Sequence, residues 1–313
     1  MNRSIVILIN PYCHEGKGWK RWTAIRNEVL QTLGYPATEI VLENGFLLQD
    51  ALHTLPGSGE SIILSAGGDG SIHYLVNYLL TLPKEQIDKL LLGAIGLGSS
   101  NDFLKPFSDK ILGIPVRMNI NGPVLRHDIG VVDYVNDTGD LNRKYFIVNA
   151  SFGVTAEANW KFNHPGVVLK WLKRTSTASA ILYTAISTIV HHQNTECTIK
   201  FNQRKIDTEI SNINVLKIPY VSGSFYYKQP IQRDDGLLSV NICSQMSRRE
   251  MIASMNKLQE GSFTGSAKKQ TAFSTSFQLT SSRPVVFECD GETELASAVN
   301  ISVQPRILHV LNS

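Results

Sequence analysis

The first third of the chain alternates short apolar runs with stretches whose apolar residues recur at helical spacing. Residues 4–9 are apolar, stop at Asn10-Pro11, and predict a first strand. A loop containing Gly16-Lys17-Gly18 follows. Trp22, Ile25, Val29 and Leu33 then share one face and predict a helix over Trp22–Leu33. Ile40–Leu42 reads as a second strand and Phe46–Leu52 as part of a second helix. The first half of Ser61–Ser71 is a buried-strand run, and Ile72, Leu75, Val76, Leu79 and Leu80 place a helix directly after it. Leu90–Ile95 is a further apolar strand. Strands and helices alternating at this length predict an α/β domain with a parallel sheet covered on both faces. Ligands of such sheets bind beyond the carboxyl ends of the strands.

After about residue 128 the period changes from helical to two. Ile129–Tyr134 and Lys144–Ala150 read as strands separated by the polar turn Asn136–Asn142, and a helix, with a possible interruption, is expected over Val167–Val190. Alternating runs then dominate: Cys197-Ile199-Phe201, Ile206-Thr208-Ile210, Ile213–Ile218, Leu238-Val240-Ile242, Phe273–Leu279 and Val285-Phe287. They predict a largely antiparallel β second domain, sandwich-like or barrel-like. The boundary falls near 128–132. The expected division is 1–130, with 305–313 returning to it, and 131–304. Ile307–Val310 is the returning segment, because the Val299–Val303 strand ends at Pro305 and an apolar run remains.

The chemistry concentrates where predicted strands end. Gly67-Gly68-Asp69-Gly70-Ser71 packs three glycines, a carboxylate and a hydroxyl between a strand and a helix. That arrangement aims backbone N–H groups and a positive helix end at an anion. An ordinary strand-to-helix turn needs only one glycine and a capping Asp. The pattern is neither the Walker loop nor the dinucleotide fingerprint. A second glycine loop, Gly96-Leu97-Gly98-Ser99-Ser100-Asn101-Asp102-Phe103, follows the Leu90–Ile95 strand. Asp69, Asp102, Asp128 and the pair Asp290 and Glu292 sit at strand ends or in these loops. Singly, each reads as a turn or capping residue. Together, beside two phosphate-type loops, they suggest Mg²⁺ held by oxygen ligands and waters next to a nucleotide.

Composition narrows the picture. The 313 residues suit two domains, and 42% hydrophobic content suffices for packed cores. A net charge of +3 suits an anionic ligand or membrane surface but is too small to argue for nucleic acid. Cys13, Cys197, Cys243 and Cys289 lie too far apart in sequence for a metal-type pair and are expected as reduced thiols in a cytoplasmic protein. The longest near-apolar stretch, Ala178–Val190, is short of the roughly 20 residues a membrane span requires. Val167, Val168, Leu169, Trp171 and Leu172 beside Lys170, Lys173 and Arg174 read either as a basic membrane-facing surface or as a core helix with a solvated charged face.

These motifs, in this order, resemble the diacylglycerol kinase and sphingosine kinase superfamily, especially its soluble bacterial lipid kinases. The matches are Asn10-Pro11, Gly67–Ser71 against Gly-Gly-Asp-Gly-Thr, Gly98–Phe103 against Gly-Thr-x-Asn-Asp-Phe, Asn149–Gly153 against Asn-x-Ser-x-Gly, Asp234–Leu238 against Asp-Asp-Gly-Leu-Leu, and Asp290–Glu292 against Asp-Gly-Glu. The resemblance implies an ATP-dependent lipid kinase acting at a membrane surface, with a homodimer left open. It implies ATP contacts from Asn10, Gly67, Gly68, Asp69, Gly70, Ser71, Gly98, Ser99 and Asn101. Asp290 would be the base that takes the lipid hydroxyl proton, across a cleft from the nucleotide loops. Asp69, Asp128 and Glu292, with Asp102, would organise Mg²⁺, and Asp235 and Leu237 would form a second, structural Mg²⁺ site. Ser71 and Ser99 stand where Thr is usual and keep the hydroxyl. Tyr12-Cys13-His14-Glu15 is an insertion before Gly16 that changes the Asn10 loop. The alternatives are an NAD kinase, whose own Gly-Ser-Thr-Ala-Tyr-type segment is not found here, and a lipid-binding homologue that has lost catalysis.

Overall fold

The apolar run at the start of the chain forms β1 (Ser4–Ile9), which pairs in parallel with β2 (Thr38–Val41) on one side and β3 (Ser61–Gly67) on the other. β3 pairs in parallel with β4 (Leu90–Gly96). The computed structural model describes residues 4–42, 60–136, 138–263 and 265–312; the helix expected over Phe46–Leu52 lies outside them. Contacts divide the chain into two units, Met1–His127 with Arg306–Ser313, and Asp128–Pro305.

In the first unit, α1 (Gly18–Leu33) turns Trp22, Ile25, Val29 and Leu33 inward, where they join Ile5, Ile7, Ile9, Ile62 and Leu64 of the sheet in one core. Burying each such side chain is worth about 1.5–3 kcal/mol. That outweighs the few tenths of a kcal/mol by which Trp, Ile and Val disfavour a helix. α1 stops at Gly34, whose φ of +66° suits glycine and whose N–H bonds the Leu30 carbonyl. α2 (Asp69–Leu79) buries Ile72, Leu75, Val76 and Leu79. A hairpin of β5 (Asp109–Ile111) and β6 (Ile114–Arg117) joins β4 antiparallel through β6. His309 and Val310, near the end of the chain, pair in parallel with Leu91 and Leu92 of β4.

The second unit is antiparallel. β7 (Leu125–Val135) pairs with β8 (Leu141–Phe146). β9 (Asn149–Gly153) is followed by α3 (Val154–Asn163), α4 (Val167–Thr175) and α5 (Thr177–His191). Then come β10 (Thr195–Phe201), β11 (Arg204–Leu216), the short pair β12 (Tyr220–Val221) and β13 (Phe225–Tyr226), and β14 (Leu238–Ser244). α6 (Arg248–Gln259), β15 (Lys269–Ser274), β16 (Ser276–Cys289) and β17 (Glu292–Val310) complete the chain. The strands lie in the order β15-β14-β11-β10-β16-β17, and β9 pairs with both β11 and β16. Alternate residues Cys197, Ile199 and Phe201 of β10 face a core built around Phe152, Phe277 and Phe287. Several runs that read as separate strands are continuous. Ile206–Ile210 and Ile213–Leu216 belong to one β11 with a bulge between them, and β17 runs through Pro305.

The helix expected over Val167–Val190 is two helices. Ser176 has extended backbone, and its Oγ accepts from Ser179 N to cap α5. α3 and α6 were not anticipated. α6 begins with a capping box, Ser247 and Glu250, that is legible in the sequence; α3 buries only Ala156 and offers little periodicity.

Candidate active site

In the first unit, strand register assembles three loops. Ile9 pairs with Ala66 and Gly67 with Gly96, so β1, β3 and β4 end at one level and release their loops side by side. The loops are also stapled together. Asn10 Nδ2 donates to Ser71 Oγ at 2.9 Å, and Gly98 N donates to the Gly67 carbonyl at 3.0 Å. A Cβ on Gly98 would stand 2.4 Å from Gly68 Cα. Glycine at Gly98 is therefore needed for loop-to-loop packing. Ser71 accepts from Asn10 and keeps its own O–H to donate. Asp69 opens α2, and its Oδ1 accepts from Phe103 N at 3.0 Å, which joins the two glycine loops.

Two residues expected to contact ATP serve the loop itself. Asn101, buried and at φ +51°, accepts from Gly98 N and donates to the Gly96 and Gly98 carbonyls. Its amide staples the loop to itself. Ser99 Oγ shares a 2.9 Å hydrogen bond with His14 Nδ1, so the inserted Tyr12–Glu15 segment reaches the second glycine loop. Burial, then the charges of Arg21 and Lys17, lowers the His14 pKa. Arg21 was not singled out in the sequence. Its Nη1 donates to the Leu97 and Gly98 carbonyls at 2.8 and 2.7 Å, placing a guanidinium beneath the loop. The signal available was its helical offset from Lys17, one turn before Trp22–Leu33.

In the second unit, Asp290 and Gly291 form the two-residue turn between β16 and β17. Their φ values of +50° and +96° fit an Asp-Gly hairpin turn of the primed type. The Asp290 carboxylate is held by backbone donors: Oδ1 accepts from Val148 and Asn149 at 2.9 and 3.1 Å, and Oδ2 from Ile147 at 3.0 Å. Donors on both oxygens fix its orientation. Glu292 opens β17 opposite Cys289 and is half-buried.

Glu288 is the acid that the sequence reading missed. It is 1% exposed, and it accepts from Asn149 Nδ2, Ser151 Oγ and Gly291 N. Burial pushes its pKa from 4.5 up to about 7, with the Asp290 charge adding to the rise. The signal was a lone carboxylate inside the apolar run Val285–Cys289. The motif Asn-x-Ser thus supplies the two side chains that hold Glu288, and the Asn149 backbone holds Asp290.

Among the described residues, no three His, Cys, Asp or Glu side chains are arranged to hold a metal ion. Asp102 is buried against Lys105, with Nζ to Oδ1 at 2.7 Å. Asp128 Oδ2 accepts from Lys217 Nζ at 2.8 Å and from Gly236 N at 2.7 Å. The Asp235 and Leu237 oxygens expected to bind structural Mg²⁺ also accept from Lys217 Nζ, at 3.2 and 2.7 Å. That donor set does not fit a metal, because an internal ammonium already sits at its centre.

Burial raises the thiol pKa values, pushing Cys13 up to about 11 and Cys197 and Cys243 to about 12, which disfavours the thiolate. α4 is not a core helix. Only Leu169 of it is fully buried, whereas Val167 is 86% exposed and Trp171 63%. No described helix is long and apolar enough to cross a membrane.

Residues 4–129 match the family described as the diacylglycerol kinase catalytic domain, and residues 149–312 match the YegS C-terminal NAD kinase beta sandwich-like domain. Among curated proteins no match was found. Among solved structures, a diacylglycerol kinase from Bacillus anthracis str. Sterne is similar at 15% identity and TM-score 0.67, covering 99% of this chain and 97% of that one. A putative diacylglycerol kinase from the same strain is similar at 15% identity and TM-score 0.69, with the same coverage. At that identity the likeness is one of fold.

Proposed function

Because the chain belongs to the diacylglycerol kinase and YegS lipid-kinase superfamily, we propose that it transfers the terminal phosphoryl group of ATP to the hydroxyl of a lipid. The observation that carries this reading is the alignment of the Asn10, Gly67–Ser71 and Gly98–Asp102 loops at one edge of the first unit's sheet. Phosphoryl transfer asks mainly for positioning and charge neutralisation. The N–H groups of Gly68 to Gly70 at the start of α2 and the Ser71 hydroxyl supply donors for phosphate oxygens. Arg21 and Asn101 keep the second loop in the shape that lets Gly98 lie against Gly68.

Mg²⁺ entering with ATP would offset phosphate charge, and Asp69 is the first unit's carboxylate for its water shell. Asp102 and Asp128 each face a lysine ammonium, of Lys105 and Lys217, which counts against that role for them. In the second unit, Asp290 orients the lipid hydroxyl and receives its proton. Its carboxylate is aimed by three backbone donors rather than by a mobile loop. The face of α4 bearing Val167, Val168 and Trp171, with Lys170, Lys173 and Arg174 alongside, supports docking on an anionic lipid surface.

ATP consumption by the purified chain tests the proposal, measured alone, with extracted lipids in mixed vesicles, and with NAD. Lipid-dependent turnover, with a phosphorylated lipid identified by mass spectrometry, is the expected result. NAD-dependent turnover would make it a nucleotide kinase. Failure of any acceptor to stimulate ATP use, with ATP binding intact, would leave a lipid-binding homologue without catalysis.

A further inference from the structure

We propose that the Lys217 ammonium replaces a divalent metal ion in this chain, as a built-in cation that organises the turn before β14. Four oxygens from two separate segments, Asp128 and the turn at residues 232–237, converge on Lys217 Nζ. They are Asp128 Oδ2 at 2.8 Å, the Gln232 carbonyl at 3.1 Å, Asp235 Oδ1 at 3.2 Å and the Leu237 carbonyl at 2.7 Å. These distances are those of N–H···O hydrogen bonds to a charged donor. Magnesium and calcium hold oxygens much closer, at roughly 2.0–2.6 Å.

The site is closed around the lysine. Its side chain is 1% exposed, and that of Asp128 is fully buried. The turn is folded onto the same carboxylates by its own backbone: Gly236 N donates to Asp128 Oδ2 at 2.7 Å and Leu237 N to Asp235 Oδ1 at 3.0 Å. Asp128 N donates in turn to the Arg233 carbonyl at 2.7 Å. The lysine therefore ties the start of the second unit, at Asp128, to the end of β11 and the entry to β14.

Charge decides why some cation must be there. Two carboxylates and two carbonyl oxygens facing one point repel each other strongly away from water. A divalent ion would have to be captured from solution and lost to chelators. An ammonium on the residue that follows β11 is covalently attached, so it is present whenever the unit folds. Its sequence signature is a lysine in the mostly apolar run Ile213–Ile218, directly after β11 ends at Leu216.

The test uses the full-length protein and does not depend on kinase activity. The wild type, after desalting, is analysed for bound metal, and its thermal unfolding is compared in EDTA and in millimolar Mg²⁺ or Ca²⁺. Substoichiometric metal and coincident melting curves are expected. One tightly held divalent ion per chain, with a lower Tm in EDTA, would overturn the proposal. Lys217→Ala opens the ammonium's place. In EDTA it should lose Tm on the order of 10 °C. Mg²⁺, Ca²⁺ or n-propylammonium should restore part of the loss, whereas choline, too bulky for the site, should not. Lys217→Met, which keeps bulk without charge, should also melt lower. A wild-type Tm for it, or no rescue of Lys217→Ala by any cation, would overturn the proposal. If neither variant folds, the metal content and EDTA response of the wild type decide alone.

Discussion

Glu288→Gln should flatten the pH dependence of stability across the neutral range. In the folded chain Glu288 is buried behind the Asp290-Gly291 turn, and its pKa rises from 4.5 to about 7. The folded state therefore binds the proton more tightly than the unfolded chain does. Its contribution is fully present below about pH 4.5 and is lost as pH rises through about 7. At roughly 1.4 kcal/mol per pKa unit, wild type should lose about 3 kcal/mol over that window from this group. Glutamine keeps the size and cannot ionise. It needs the Asn149 amide to turn over, since Nδ2 now donates to Glu288, and Ser151 Oγ to accept. That rearrangement is a fixed cost that does not vary with pH.

The assay is urea unfolding of both proteins at a series of pH values between about 5 and about 8.5. Histidines and the other carboxylates titrate in both, so the difference between the curves isolates Glu288. The variant should gain on wild type by about 3 kcal/mol from the acidic to the alkaline end. Parallel curves would show that Glu288 does not change its proton affinity on folding, and the reading of a carboxylate whose pKa is raised by burial would be wrong.

Asp290→Asn should lower kcat by about 10²–10⁴-fold while ATP affinity changes little. Because one amide N–H would now face a backbone N–H of residues 147–149, it should also cost about 1–3 kcal/mol of stability by urea unfolding; wild-type turnover would remove Asp290 as the base. Asp69→Asn keeps an acceptor for Phe103 N and removes the charge, so calorimetry should show Mg-ATP binding weakened while circular dichroism stays unchanged; unaltered turnover would refute the phosphate-loop reading. Gly98→Ala drives a Cβ into Gly68 Cα and should raise the ATP KM and destabilise the protein by about 1–3 kcal/mol, checked by steady-state kinetics and thermal melts. Glu292→Gln should raise the Mg²⁺ concentration needed for half-maximal turnover, read from a metal titration at fixed ATP.

Local order along the chain was legible without coordinates. The Trp22-Ile25-Val29-Leu33 stripe, the apolar runs before Asn10 and Gly67, and the two glycine loops follow from periods and turn chemistry that neighbouring residues set among themselves. The motif order from Asn10 to Glu292 carried the family. What tertiary structure alone decided is which of these groups meet. The Gly67-to-Gly96 register sets the glycine loops against each other, and strand register depends on partners 29 residues apart in the chain. Whether a carboxylate faces water, a metal or a lysine depends on what a distant strand brings to it. Asp128 looked like a metal ligand until Lys217, the residue that follows β11, met it from 89 positions away. Glu288 looked like one more strand residue until Asn149 and Ser151, on a different strand, closed around it. Sequence patterns report the preferences of a segment, whereas charge and proton affinity are set by burial and by through-space neighbours, which only the folded chain defines.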